Sequence, residues 1–281
     1  MKALLRLRRH WIVRRTKLVL SIAAVLLATV VVSTLTIDLG PELRGLAERQ
    51  GSRYMKRTLH IGGLRIRLIN GHFEIDDLVI EGLQPGDRPF FTARRLSLAI
   101  DWSGLIARRP DVLITSVELT DWKMLVEKFK DGDNFPKFRD TNAPPGGPRR
   151  FTTTLRYFGA SHGQFAYEDH EMPWSIVAPN LNLTITNFPD YHGEATFRDG
   201  LISIQNYVPM SVNFKGRFAI NGSKVQLNRA EIDTDGARTV AVGGVDIDHW
   251  PEQTYQVRSR VEFGRMREIF FAKEKLSSDD V

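Results

Sequence analysis

Leu64-Arg-Ile-Arg-Leu-Ile-Asn-Gly-His-Phe-Glu-Ile75 is the stretch that decides the class of fold. Leu64, Ile66 and Leu68 alternate with Arg65, Arg67 and Ile69. Asn70-Gly71, the strongest short hairpin signal, follows. Phe73 and Ile75 then resume the alternation, and Leu78 and Ile80 continue it after a phase slip. A period of two puts apolar side chains on one face of a strand and polar ones on the other. The stretch therefore predicts a β-hairpin with one apolar and one wet face.

The same pattern recurs outward from this hairpin. Leu96, Leu98 and Ile100 alternate with Arg95, Ser97, Ala99 and Asp101, and Trp122, Met124 and Val126 with Lys123, Leu125 and Glu127. Leu181, Leu183 and Ile185 alternate with Asn182, Thr184 and Thr186. Val212, Phe214, Phe218 and Ile220 alternate with Asn213, Lys215, Arg217 and Ala219, and Tyr255, Val257, Val261 and Phe263 with Gln256, Arg258, Arg260 and Glu262. Turn signals stand at Pro85-Gly86, Asp131-Gly132, Asp199-Gly200, Asn221-Gly222 and Asp235-Gly236. Repeated alternation between turns predicts antiparallel strands. Helical patterns are few: one over about 41–58 with Asp38 as its cap and Pro41 in its first turn, one turn at Trp102 to Arg108, and a short helix at Arg265 to Lys275. Asn142-Ala-Pro-Pro-Gly-Gly-Pro148 donates few backbone hydrogen bonds and cannot be a central strand. It reads as a long loop or seam between a first sheet segment, 39–141, and a second, 149–281.

The chain of 281 residues has a formal net charge of +6. Residues 1–17 hold 7 of the 39 basic residues and no Asp or Glu; the remainder holds 32 basic and 33 acidic residues. The excess thus belongs to the N-terminal tail, and the body lacks the basic surplus with which a protein neutralises nucleic-acid phosphates. Leu18 to Ile37 is an uncharged run of 20 residues. A helix of that length spans ~30 Å, the hydrocarbon thickness of a bilayer. The basic tail places the N-terminus in the cytoplasm by the positive-inside rule, with the body outside. A cleaved signal peptide is the competing reading, but its apolar region is usually ~7–15 residues with a small-residue cleavage site. Here Val32-Ser-Thr-Leu-Thr36 closes a longer run, so a retained anchor is expected.

With no cysteine, disulfides and thiolate chemistry are excluded. The seven histidines form no metal-ligand spacing, and Asp169-His170-Glu171 reads as a solvated turn before Pro173. Asp76-Asp77 and Asp246/Asp248 fall at expected turn or strand-edge positions. Neither a nucleophile elbow nor a phosphate-binding glycine loop is present. The expectation is a non-enzymatic protein with no cofactor, no metal and no catalytic residue.

The order of segments carries a resemblance. After the uncharged run and short helix comes the hairpin Leu64–Ile80. Ala93-Arg-Arg-Leu-Ser-Leu-Ala-Ile-Asp-Trp-Ser-Gly-Leu-Ile106, Val112-Leu-Ile-Thr-Ser-Val-Glu-Leu119 and Lys130-Asp-Gly-Asp-Asn-Phe-Pro136 follow. This order resembles the N-terminal region of the AsmA-like superfamily, which includes TamB-type envelope proteins. Thr234-Asp-Gly236 and Val242-Gly-Gly-Val-Asp-Ile-Asp248 with Trp250-Pro251 resemble its repeated strands. The resemblance covers about residues 1–140 well and the rest more loosely; members are usually much longer. It implies a mainly β fold: a transmembrane helix, a short helix and a curved, twisted antiparallel sheet of the β-taco or groove kind. It further implies a single-pass bacterial inner-membrane protein with a periplasmic body, serving phospholipid transport between membranes or outer-membrane biogenesis. The expected partners are phospholipid acyl chains, the inner membrane and an outer-membrane protein. The candidate groove residues are the apolar members of the five later alternating sets above, from Leu96 to Phe263. The alternative is an envelope scaffold of the TamB kind with a closed core, binding protein or glycan.

Overall fold

The computed structural model describes residues 38–67, 70–103, 111–136, 152–187, 190–246 and 253–271. The expected anchor at 18–37, the segment 142–148 and most of the turn at 102–108 lie outside them. So do Leu68, Ile69, Asp248, Trp250, Pro251 and the end of the helix expected to reach Lys275, whereas the Asn70-Gly71 turn is described, with Gly71 at φ 60° between the paired β-strands on either side. Among the described residues no helix is long and apolar enough to cross a membrane.

Among the described residues the protein is mainly β: one large curved sheet with two helices. Helix α1 is Gly40–Met55. It has Pro41 in its first turn, and Lys56 closes it in the left-handed conformation (φ 54°). Asp38 does not cap in the usual way. Its Oδ1 accepts from Gly40 N (2.9 Å) and from Ile66 N (2.7 Å), tying the helix start to the first strand.

The strands are β1 (Leu59–Arg67), β2 (His72–Ile80), β3 (Phe91–Asp101), β4 (Asp111–Phe129), β5 (Gly132–Asp133), β6 (Thr152–Leu155) and β7 (Tyr157–Asp169). They continue as β8 (Trp174–Asn187), β9 (Tyr191–Ile204), β10 (Met210–Asn221), β11 (Lys224–Thr234), β12 (Ala237–Asp246) and β13 (Gln253–Val261), before helix α2 (Phe263–Phe270). The sheet order is β1-β2-β3-β4-β7-β8-β9-β10-β11-β12-β13, with β5 and β6 both paired to β4. Nearly all neighbours are antiparallel, as expected. The exception is β4, which lies parallel to β6 and β7 and joins the strands before residues 137–151 to those after.

Hairpin turns form at Gly222 (φ 62°) and Gly236 (φ 94°), where Asn-Gly and Asp-Gly pairs are read. Asp199-Gly200 is not a turn. It is a bulge inside β9, held by the Asp199 N–H donating to Asn213 Oδ1 (2.9 Å), with Gly200 beneath the Phe197 ring. Asp76-Asp77 likewise lies within β2, where Asp76 pairs with Arg65 and Arg95.

That phase slip in β2 belongs to a larger feature. Asp77, Asp121, His162, Asn180 and Asp199 sit inside β2, β4, β7, β8 and β9 with φ between 51° and 56°. The registers bring them to one level, so that Asp77 faces Arg94, Arg94 faces Asp121, and Asp121 faces His162. Asp, Asn and His are the non-glycine residues that best tolerate this conformation. Each left-handed residue breaks the two-residue alternation of its strand, and a row of them across neighbouring strands creases the sheet. Ala93 (2% exposed), Ala178 (2%) and Trp122 (6%) flank the crease on the apolar face, whereas the Arg94 side chain on the other is 78% exposed. The apolar face is therefore the inside of the bend.

Candidate apolar binding face

Directly opposed residues on neighbouring strands point to the same face. Following the registers from β1 gives one rung: Leu64, Ile75, Leu96, Leu119, Ala160, Leu183, Ala195, Gly216, Ala230, Ala241, Val257. The next rung on that face is Ile66, Phe73, Leu98, Val117, Phe158, Ile185, Gly193, Phe218, Leu227, Gly243, Tyr255. Each crosses eleven strands without a charged side chain. At ~4.8 Å per strand the stripe is ~48 Å long. The rung between them projects from the opposite face and reads Arg65, Glu74, Ser97, Glu118, Gly159, Thr184, Glu194, Arg217, Arg229.

Of the residues singled out from sequence, Leu96, Leu98, Ile100, Trp122, Met124, Val126, Leu181, Leu183, Ile185, Val212, Phe214, Phe218, Ile220, Tyr255, Val257 and Val261 share this face. Phe263 does not. β13 ends at Val261 because its partner β12 begins at Ala237, and Glu262 N makes the last bond, to Gly236 O. Phe263 instead opens α2 and is 84% exposed. Sequence alternation missed the small members, Ala160, Ala195, Gly216, Ala230 and Ala241. Their signal was an alanine or glycine between charged neighbours, as in Lys215-Gly216-Arg217 and Arg229-Ala230-Glu231.

Several of these glycines have a packing role. A Cβ on Gly163 would lie 2.1 Å from the Trp122 ring, on Gly193 2.5 Å from Phe218, on Gly216 2.5 Å from Phe214, and on Gly243 2.4 Å from Tyr255. The rings occupy the space that a side chain would take at these positions.

Cover over the face is uneven. Leu59, Ile61, Leu64, Ile66, Leu78, Ile80, Phe91 and Ala93 form a buried cluster against which Leu39, Ala47 and Met55 pack. Toward the other edge cover thins. Val257 is 62% and Tyr255 42% exposed, and among the described residues nothing pairs with the outer edge of β13.

Charged groups lie off this face and are mostly matched. Arg88 reaches Glu168 with both Nη1 (2.8 Å) and Nη2 (2.6 Å), and its Nη2 also reaches Glu127 (2.6 Å). The bond from Arg88 holds the Glu168 carboxyl below its usual range, and Glu168 holds the guanidinium above its own. Glu127, Glu168 and His170 have possible ligand atoms within 4.8 Å of one another, but the guanidinium already bridges the two carboxylates. The turn at 169–171 is only partly solvated. His170 and Glu171 are exposed, while Asp169 is buried and its Oδ1 accepts from Glu171 N (3.0 Å) and Met172 N (2.9 Å).

Asn134, from the segment quoted at 130–136, is also buried. Its amide donates to Leu125 O (2.9 Å) and its Oδ1 accepts from Glu127 N (2.8 Å), replacing a strand partner at the end of β4. A depression of about 840 Å³ on the polar face is bordered by Asn182, Arg198, Lys215, Glu231 and Arg238. Lys215 pairs there with Glu194, and Arg238 with Asp233.

No protein-family model matches the chain, and no curated protein matches it.

Proposed function

We propose that the apolar face binds phospholipid acyl chains. On this reading the protein is a non-enzymatic, single-pass envelope protein of the AsmA-like kind with a periplasmic body. It serves phospholipid transport between membranes or outer-membrane biogenesis through a β-taco groove. The observation that carries the reading is the pair of apolar rungs crossing all eleven strands. A sheet that only needed a core would bury such a face beneath helices or a second sheet. Here α1 and α2 are the helices among the described residues, and β13 is exposed along its whole length. Each methylene removed from water contributes ~0.8 kcal/mol. One acyl chain is ~15 Å long, half the ~30 Å hydrocarbon core, so a ~48 Å stripe has room for several chains in succession.

A closed-core scaffold draws support from the buried cluster at β1–β4 under α1. The two readings separate at Phe218, which is half-buried. If lipid covers this region, Phe218→Gln leaves the fold intact and lowers uptake of a fluorescent phospholipid several-fold. If the region is a closed core, the same change unfolds the protein by burying an unpaired amide. Residues 39–281 purified and extracted should yield phospholipid by mass spectrometry. A preparation free of lipid and unable to take it up would end the proposal.

A further inference from the structure

We infer that the outward face of α1 lies in the anionic headgroup layer of the bilayer and stands the sheet upright on it. The inference rests on reading Leu18–Ile37 as the anchor. Only Asp38 and Leu39 separate that run from Gly40, the first residue of α1. Two extended residues and their bonds reach ~10 Å, so the helix begins at the membrane surface.

The inward face of α1 is spent on the sheet. Leu59 N donates to Ser52 Oγ (2.9 Å), Ile61 N to Glu48 Oε1 (2.9 Å) and Ile66 N to Asp38 Oδ1 (2.7 Å), while Arg44 donates to Gly62 O (3.0 Å). Residues 38 to 52 thus meet residues 66 to 59 in reverse order. At ~1.5 Å per helical residue and ~3.3 Å per strand residue the two segments match, ~20 Å against ~23 Å. Helix and strand lie side by side along their whole length.

The outward face carries Leu43, Leu46 and Tyr54, exposed by 37%, 45% and 64%. At 100° per residue these three fall within one arc that exposed Gln50 shares, and its border carries exposed Arg53, Glu42 and Arg49, two basic residues to one acidic. Apolar residues beside basic ones on an exposed helix are the pattern of an interfacial helix on anionic lipid. A helix lying in the membrane plane holds β1 in that plane too. Each later strand then stands ~4.8 Å further away, and the apolar stripe rises ~48 Å from the bilayer.

The test uses the full chain in vesicles of phosphatidylethanolamine and phosphatidylglycerol. The protein has no cysteine, so Leu46→Cys, Thr184→Cys and Arg258→Cys each give a single attachment point for an environment-sensitive fluorophore. Gln50→Cys substitutes if Leu46→Cys does not fold. The label on α1 should emit as in an apolar medium and be quenched several-fold by nitroxide lipids. Energy transfer to a headgroup-bound acceptor should fall from α1 to Thr184 to Arg258. Arg49→Glu with Arg53→Glu should cut the quenching at least twofold. A water-like spectrum on α1, equal transfer from Thr184 and Arg258, or quenching indifferent to the charge reversal would overturn the inference. Lipid bound to the stripe is measured separately. A lipid-laden protein with a flat transfer profile keeps the acyl-chain reading and loses this one.

Discussion

Asn180 shows how a single backbone angle shapes the sheet. It sits in β8 at φ 51°, exposed, in line with Asp77, Asp121, His162 and Asp199. A β-branched residue is strained there, at a cost on the order of 1–3 kcal/mol. Asn180→Val should therefore lower the denaturation midpoint markedly, and Asn180→Gly should leave it nearly unchanged. Equal losses from both would mean that the side chain, not the angle, matters. Asp169 supplies a pH-dependent contribution. The bond from Met172 N is the main cause that holds its carboxyl below the ordinary range. A lowered folded pKa stabilises the protein above the unfolded value, ~3.9 for Asp. That contribution is lost as pH falls through the folded value. The stability difference between the wild type and Asp169→Asn should be positive at pH 7 and shrink below about pH 4, as read by denaturation at several pH values. A difference that does not change with pH would remove Asp169 from the account.

At the scale of the element, the edges of the sheet are unequal. β1 has its outward backbone groups taken by Ser52, Glu48, Asp38 and Arg44, which blunts a surface that otherwise recruits other strands. Glu48→Ala with Ser52→Ala should speed amide exchange at Leu59 and Ile61 and raise light scattering on concentration. Unchanged exchange at both amides would show that the cap is dispensable. The strands themselves were largely legible in sequence, because large apolar residues at period two report a one-sided strand directly. Three features were not. The crease shows within one strand only as a phase slip, as at Leu78, and its alignment across β2, β4, β7, β8 and β9 is a property of register. Phe263 kept the alternation of Tyr255, Val257 and Val261, but β12 offers it no partner. Asp199-Gly200 has turn chemistry, and Asn213 turns it into a bulge.

For the whole molecule, the same pleat that produces the strands divides the surface in two. Two apolar rungs run across eleven strands, and the rung between them, on the reverse, carries arginine and glutamate. Half of the candidate face was legible from leucines and phenylalanines. The rest consists of alanines and glycines whose role appears only when the strands are placed side by side. Leu183 and Thr184 are neighbours in the chain on opposite faces, which makes them the sharpest probe of what covers each. A photo-reactive benzophenone amino acid at either position, activated in intact cells expressing the full chain, reports adducts by mass spectrometry. The account predicts phospholipid adducts at position 183, several-fold above those at 184. No adduct at 183, or equal yields at both, would contradict it.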